Sequence, residues 1–377
     1  MTITPPGRPT LCVIDHRALR GNFKQIRALV GPRVKILAMV KANGYGHGAV
    51  AVAKTLAAAG ADAFGVATVE EGIELRRARI GQPILVLAGA YLEQLPQFLQ
   101  YRLTPVVHEV ATLKALDSRL LRLKATLPIE IEVDTGMGRI GFPAGEIDTW
   151  LPALAKLKTV KLHGVFSHFA DAETANERYT QKQLKRFNQV LTRFAEAKIL
   201  HRSSHMAKSA ALITEPAAHF SMVRPGLILY GMFPAPALKK KIDLKPVLSW
   251  KTRIIQLKRV AAGTPVGYGR TFVAKRNSVI ATLPVGYADG YHRLFSNHAQ
   301  VLVRGKHAPV VGRVSMDLTT IDVTDIRNVQ QGDEVVLLGY QGSAEIGADE
   351  IASWANTISY EIFTSISDRV PRIHVNI

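Results

Sequence analysis

The chain has 377 residues, 47% of them hydrophobic and 21% charged, which is enough apolar side chain for one large core or two moderate ones and excludes a disordered chain. Its formal charge of +18 comes from 48 Lys and Arg against 30 Asp and Glu, but the densest basic run, Lys239-Lys240-Lys241, has no aromatic residues threaded through it. A solvated basic face that helps draw in an anionic cofactor is therefore expected, and a nucleic-acid partner is not.

The single cysteine, Cys12, rules out an internal disulfide, and its apolar neighbours mark it as a buried structural thiol. Residues 1–6 lack the basic and apolar regions of a signal peptide, and no later stretch is apolar enough to span a bilayer. No membrane partner and a cytoplasmic location are expected.

In chain order, short β-rich apolar runs alternate with longer amphipathic ones. Strands are predicted at Lys35–Val40, Ala63–Ala67, Pro83–Ala88, Thr104–His108, Ile129–Asp134, Lys161–His168, Leu200–His205 and Met222–Tyr230. Helical patterns lie between most of them; Val69–Ile80, with Glu70 and Glu71 at its start and Arg76, Arg77 and Arg79 at its end, matches the helix dipole. Eight strands in this alternation predict an α/β fold, a closed (β/α)8 barrel of the TIM type over residues 10–233.

From about Pro234 the pattern changes to short strand-like segments, Ser249–Leu257, Ser278–Pro284, Ala299–Arg304 and Glu334–Leu338, separated by Gly-containing turns. A second, mostly antiparallel β domain is expected over residues 234–377 together with 1–9. Its glycines, such as Gly263, Gly267 and Gly269, lack the βαβ context of a dinucleotide site. The run Thr10–Ile14 has a pattern that suits pairing with either domain.

In a barrel of this kind, function gathers at the C-terminal ends of the strands. The first strand ends in Lys41; a lysine that continues a buried strand is partly desolvated, which lowers its pKa and frees the amine to attack a carbonyl. The fifth runs into Thr135-Gly136-Met137-Gly138-Arg139, a tight turn that aims a guanidinium at the mouth. The sixth and seventh end in His168 and His205, each of which would also suit a hydrogen-bonded core position, and the eighth carries Arg224. Ser209 and the Gly226-Leu227 backbone follow the last two strands, where hydroxyl and N–H groups hold phosphate in barrel enzymes.

The segment Ala38-Met39-Val40-Lys41-Ala42-Asn43-Gly44-Tyr45-Gly46-His47-Gly48 resembles the cofactor-lysine motif of the alanine racemases. Further segments fall in that family's order: Asp134–Gly141 resembles its arginine segment, Ser167-His168-Phe169-Ala170 its ring-stacking histidine, and Arg224-Pro225-Gly226 its pyridine-contacting arginine. Gly267-Tyr268-Gly269, Pro284–Gly290, Val311–Asp317 and Thr357–Glu361 are similar to its tyrosine base, gate tyrosine, carboxylate loop and last cofactor segment.

The resemblance spans nearly the whole chain and implies a pyridoxal phosphate-dependent isomerase that interconverts L- and D-alanine and supplies D-alanine for peptidoglycan. It implies a homodimer with shared sites, in which Lys41 serves the D-face and Tyr268 of the partner subunit the L-face. A phenol is normally protonated at neutral pH, so such a base needs positive charge or donors nearby; His168 and Arg224 are expected to supply that network. Tyr45, Ser209, Gly226, Leu227 and Tyr360 would hold the cofactor phosphate, Arg139 and the Met316 backbone the substrate carboxylate, and Tyr287, Arg293 and Arg313 would line the entrance. No metal is implied.

Three positions depart from the family pattern. Glu132 stands where better-known members carry a carbamylated lysine, and a direct ion pair with Arg139 is expected in its place. Lys208 precedes the phosphate serine where Asn is usual, and Ser315 replaces a cysteine. The alternatives are a racemase of broader specificity acting on serine, lysine or arginine, a non-catalytic pyridoxal phosphate carrier, and a barrel decarboxylase. Tyr287 and Tyr360 argue against the first, the second domain against the next, and Arg224 against the last, since such decarboxylases carry an acidic residue at that place.

Overall fold

A computed structural model describes residues 7–173 and 177–377. The chain divides into two units, one of Leu19–Gly44 with Ala49–Lys245, the other of the described residues up to Ala18, Tyr45–Gly48 and Pro246–Ile377.

The first unit is the expected barrel. Its strands are Lys35–Met39, Ala63–Val66, Ile84–Val86, Thr104–Val107, Leu127–Asp134, Val160–Phe166, Ser203–Lys208 and Met222–Arg224. Each pairs in parallel with its neighbours, and the ring closes where Met222 lies opposite Lys35. Strands covered on both faces read as continuous apolar runs, and Ile36, Leu37, Ala38 and Val40 are all fully buried. Helix Val69–Arg77 opens on a capping box between Thr68 and Glu71.

Six strands match expectation to within two residues at each end, and two depart further. The seventh starts at Ser203 rather than Leu200, and Leu200 is 88% exposed. The apolar pair Ile199-Leu200 imitates a strand start, but the parallel register with the sixth strand, Gly164 opposite Ser203, sets the true one. The eighth stops at Arg224 because Pro225 has no N–H for a ladder, and Leu227–Tyr230 forms a 3₁₀ turn instead.

In the second unit the main sheet runs Arg372–Val375, Leu11–Asp15, Leu248–Arg253, Glu334–Gln341, Gln300–Val303, Lys306–Pro309, with Ala344–Ile346 added on Glu334–Gln341. It is antiparallel except that Leu11–Asp15 lies parallel to Arg372–Val375. The N-terminal run therefore belongs to the β unit, and the barrel unit begins at Leu19 rather than residue 10. Gln256–Val260, Ser278–Leu283 and Thr319–Asp322 make a second sheet, so the single strand expected over Ser249–Leu257 is two strands, interrupted at Ile254-Ile255. Cys12 is fully buried, and burial pushes its thiol up to about 12, as a structural cysteine requires. Among the described residues no helix is long and apolar enough to cross a membrane.

Candidate active site

Lys41 follows the first barrel strand and is half-buried. The chain then enters a left-handed turn, with φ of 51° at Ala42, 53° at Asn43 and 62° at Gly44. For residues with a Cβ this conformation costs about 1–2 kcal/mol each. Three hydrogen bonds hold it: Gly44 N–H to Val40 carbonyl at 2.8 Å, Ala42 N–H to Glu71 Oε1 at 2.6 Å, and Ala49 N–H to Asn43 Oδ1 at 2.9 Å. The Lys41 amine itself makes no hydrogen bond or ion pair with any described residue. Burial, then the Arg139 guanidinium, holds its pKa below the ordinary lysine value, against the pull of Glu71 and Glu132.

On the eighth strand, which pairs with the first, Arg224 is 4% exposed and held by four acceptors. It donates to His205 Nδ1 at 2.5 Å, to the Ser167 carbonyl at 2.6 Å, to His168 Nδ1 at 3.2 Å and to the Met206 carbonyl at 3.3 Å. Burial pulls this guanidinium down to about 10, with Glu132 and Glu130 opposing, so it stays charged at neutral pH. His168 is driven well below the usual histidine range by burial, then by Arg224, Lys208, Arg139 and Lys41, and is neutral. His168 and Arg224 are thus in direct hydrogen-bond contact at the ends of the sixth and eighth strands.

Ser209 opens the helix Ser209–Thr214, is buried, and accepts the Gly226 N–H on its Oγ at 2.9 Å. The Leu227 N–H heads the 3₁₀ turn that follows and has no partner within it. Lys208 turns to Glu173, 3.0 Å from its Oε1. Arg139 is exposed on its loop, which Asp134 shapes by accepting the N–H groups of Gly136 and Gly138 at 2.8 and 3.1 Å.

The ion pair expected between Glu132 and Arg139 is not formed. Glu132 is 4% exposed and lies 3.4 Å from His108 Nε2. Alternation along the fifth strand turns residues 130 and 132 to the same buried face, whereas Arg139 sits on a loop beyond the strand end. Sequence reasoning also left Glu130 without a role, and gave Glu71 none beyond the start of its helix and His205 none beyond its place at a strand end. The signal for Glu130 was its spacing from Glu132, two carboxylates on one face of an apolar strand.

The β unit carries the other candidates. Tyr268, 73% exposed, starts a turn framed by the ribbon Pro265–Val266 and Phe272–Val273. Gly267 before it has φ of 74°, and a Cβ there would meet the Arg313 backbone at 3.3 Å, so Arg313 lies beside this turn. Tyr287 and Met316 are on paired loops: the Tyr287 N–H donates to the Ser315 carbonyl and the Ala288 N–H to the Met316 carbonyl, both at 3.0 Å. Gly286 permits that approach, since a Cβ would lie 2.3 Å from Ser315 O. Arg293 is exposed in the 3₁₀ turn Arg293–Phe295. Tyr45 and Tyr360 have ring centroids 5.9 Å apart.

On the barrel, an unpartnered lysine amine, a buried guanidinium beside a neutral histidine, and a hydroxyl with an open N–H fit pyridoxal phosphate, which offers a carbonyl, a ring nitrogen and a phosphate. Residues 14–234 match the family model for the alanine racemase N-terminal domain and residues 247–374 that for the C-terminal domain. The chain is 46% identical to the alanine racemase of Halothermothrix orenii, covering 98% of this chain and 97% of that one, and 45% identical to that of Symbiobacterium thermophilum, covering 97% of both. Among solved structures, the Bacillus anthracis alanine racemase with bound L-Ala-P superimposes with a TM-score of 0.93 at 35% identity, covering 99% of this chain and 96% of that one. By sequence over nearly its whole length and by fold, the chain belongs to the alanine racemase family.

Proposed function

We propose that this protein interconverts L- and D-alanine with pyridoxal phosphate, as a homodimer in which each site joins Lys41 of one copy to Tyr268 of the partner subunit. The observation that carries the proposal is the Lys41 amine: half-buried, unpartnered among the described residues, and held below the ordinary lysine pKa. An amine in that state is available to condense with the cofactor's carbonyl. Tyr45, Ser209, Leu227 and Tyr360 would hold the phosphate, with Gly226 fixing Ser209 through its N–H.

Pyridoxal phosphate, when bound, draws electron density from an attached amino acid and so acidifies its α-hydrogen. Lys41 takes that proton from D-alanine, and Tyr268 of the partner subunit takes it from L-alanine; each returns a proton on its own face. The exposure of Tyr268 supports its use by a second copy. Arg224, a cation that keeps its protons at neutral pH, would contact the pyridine nitrogen. Arg139 and the Met316 N–H grip the carboxylate, while Tyr287, Arg293 and Arg313 line the approach. D-alanine made in the cytoplasm would feed peptidoglycan synthesis.

Replacing Lys41 by Ala tests the proposal: the visible absorbance of bound cofactor and alanine racemisation should vanish together, and persistence of both would overturn it. Measuring kcat/KM for alanine, serine and lysine tests the substrate, and a preference for lysine would overturn that part.

A further inference from the structure

Glu130 is 1% exposed in the middle of the fifth barrel strand. A carboxylate at this depth costs several kcal/mol unless hydrogen bonds and opposite charge answer it. The surroundings are shaped to hold it. His205 Nε2 lies 2.6 Å from Oε2, and the Ser203 hydroxyl donates to Oε1 at 3.2 Å. Gly164 on the adjacent strand leaves the space, since a Cβ there would come within 2.5 Å of the carboxylate.

The protons can be assigned. Arg224 lies 2.5 Å from His205 Nδ1, and a guanidinium has donors only, so Nδ1 accepts and carries no proton. Neutral imidazole then has its one proton on Nε2, which it donates to Glu130. A doubly protonated ring would set N–H against N–H at Arg224. Burial favours the neutral ring, Glu130 pulling the other way. Phe166 clamps the geometry: the His205 ring stacks on it at 4.7 Å and 9°, and the Arg224 guanidinium sits 4.8 Å from the same ring's centre.

We propose that Glu130 is a positioning residue for the active site, supplying through neutral His205 the buried counter-charge of Arg224 and fixing which histidine nitrogen receives the guanidinium. The function proposed above is presupposed, because it places Arg224 at the pyridine nitrogen. Glu130 makes Nδ1 a stronger acceptor, draws Arg224 toward His205, and so weakens the donor strength of its other edge. The charged and titratable groups around Glu130 and Arg224 are Glu132 on the same strand, His163 on the sixth, His168 just beyond it and His205 on the seventh.

The test uses the cofactor-loaded enzyme labelled with 15N-histidine, with the His205 signals assigned by His205→Gln. In the wild type His205 should show a protonated Nε2 with a strongly deshielded proton and an unprotonated Nδ1, unchanged across the neutral pH range. Glu130→Gln keeps an acceptor but removes the charge. Its Nε2 proton should move upfield, the pH dependence of the cofactor absorbance should shift, and kcat should fall about tenfold with KM for alanine little changed. Glu130→Leu should lower kcat further; if it does not fold, Glu130→Gln decides alone. A doubly protonated His205, a proton on Nδ1, or Glu130→Gln with the wild-type proton shift and kcat would overturn the proposal. The expected nitrogen pattern in a protein that racemises no alanine would instead overturn the proposed function and leave the proton assignment standing.

Discussion

Glu71 accepts the Ala42 N–H on one carboxylate oxygen at 2.6 Å, and the Ala67 N–H on the other at 2.7 Å. One side chain thus ties the left-handed turn behind Lys41 to the end of the second barrel strand while also capping its own helix. Glu71→Ala should cost about 2 kcal/mol of stability through the amides it leaves bare. It should lower kcat/KM about tenfold by loosening Lys41. Thermal unfolding and steady-state kinetics check both; an unchanged kcat/KM would mean that Asn43 and Val40 hold the turn without it.

Lys41 should titrate below 10.5, since burial and Arg139 both disfavour its ammonium form. In cofactor-free protein, capture by pyridoxal phosphate followed by borohydride reduction and peptide mapping should mark Lys41, with a pH inflection below that value. Arg139→Ala removes a cation and should raise the inflection; Glu132→Gln removes an anion and should lower it. The unfolded chain binds this proton more tightly, so the same group makes stability rise with pH from the lowered value up to 10.5.

Asp117 joins helix Val110–Leu123 to the start of the sixth strand, accepting the N–H groups of Lys158, Thr159 and Val160 at 3.0, 2.7 and 3.0 Å and the Thr159 hydroxyl at 2.7 Å. Burial raises its pKa, but these bonds outweigh it and the carboxyl lies below its ordinary 3.8. Its contribution is therefore complete above 3.8 and lost as pH falls through the lower, folded value. Asp117→Ala should destabilise by about 2–3 kcal/mol at neutral pH and by less in acid. Equal losses at both pH values in thermal unfolding would count against the assignment.

Gly286→Ala would place a Cβ 2.3 Å from Ser315 O and 2.4 Å from Met316 O, both backbone atoms that must move. A displacement near 1 Å in a substrate-gripping loop can cost about a hundredfold in rate. The variant should therefore lose most of its kcat/KM for alanine while retaining cofactor absorbance at the barrel. Kinetics close to wild type would remove the Met316 loop from the carboxylate site.

The proposed sharing of sites between subunits fixes a number. Lys41→Ala and Tyr268→Phe should each be inactive, but subunits mixed in equal amounts and allowed to exchange should form hybrids in half of the dimers, each with one native site of two. About a quarter of wild-type activity should return. No recovery, with exchange confirmed by differential tagging, would show that both bases come from one chain.

The barrel was legible because its strands are covered on both faces and so read as short, wholly apolar runs such as Ile36–Met39. The β unit was legible only in outline, since the break at Ile254-Ile255 lies inside one apolar stretch. Lys41, Arg139, His168 and Arg224 could be located at strand ends by position and residue type, because a polar side chain that closes an apolar run marks a mouth. Their partners could not. Ion pairing depends on which face a strand turns inward and on which residues of other strands meet it there. By itself the sequence determined the barrel, the lysine and the order of the motifs. Only the tertiary structure decided that Glu132 meets His108 and not Arg139, and that Arg224 meets His205, because parallel register brings together side chains that lie many residues apart.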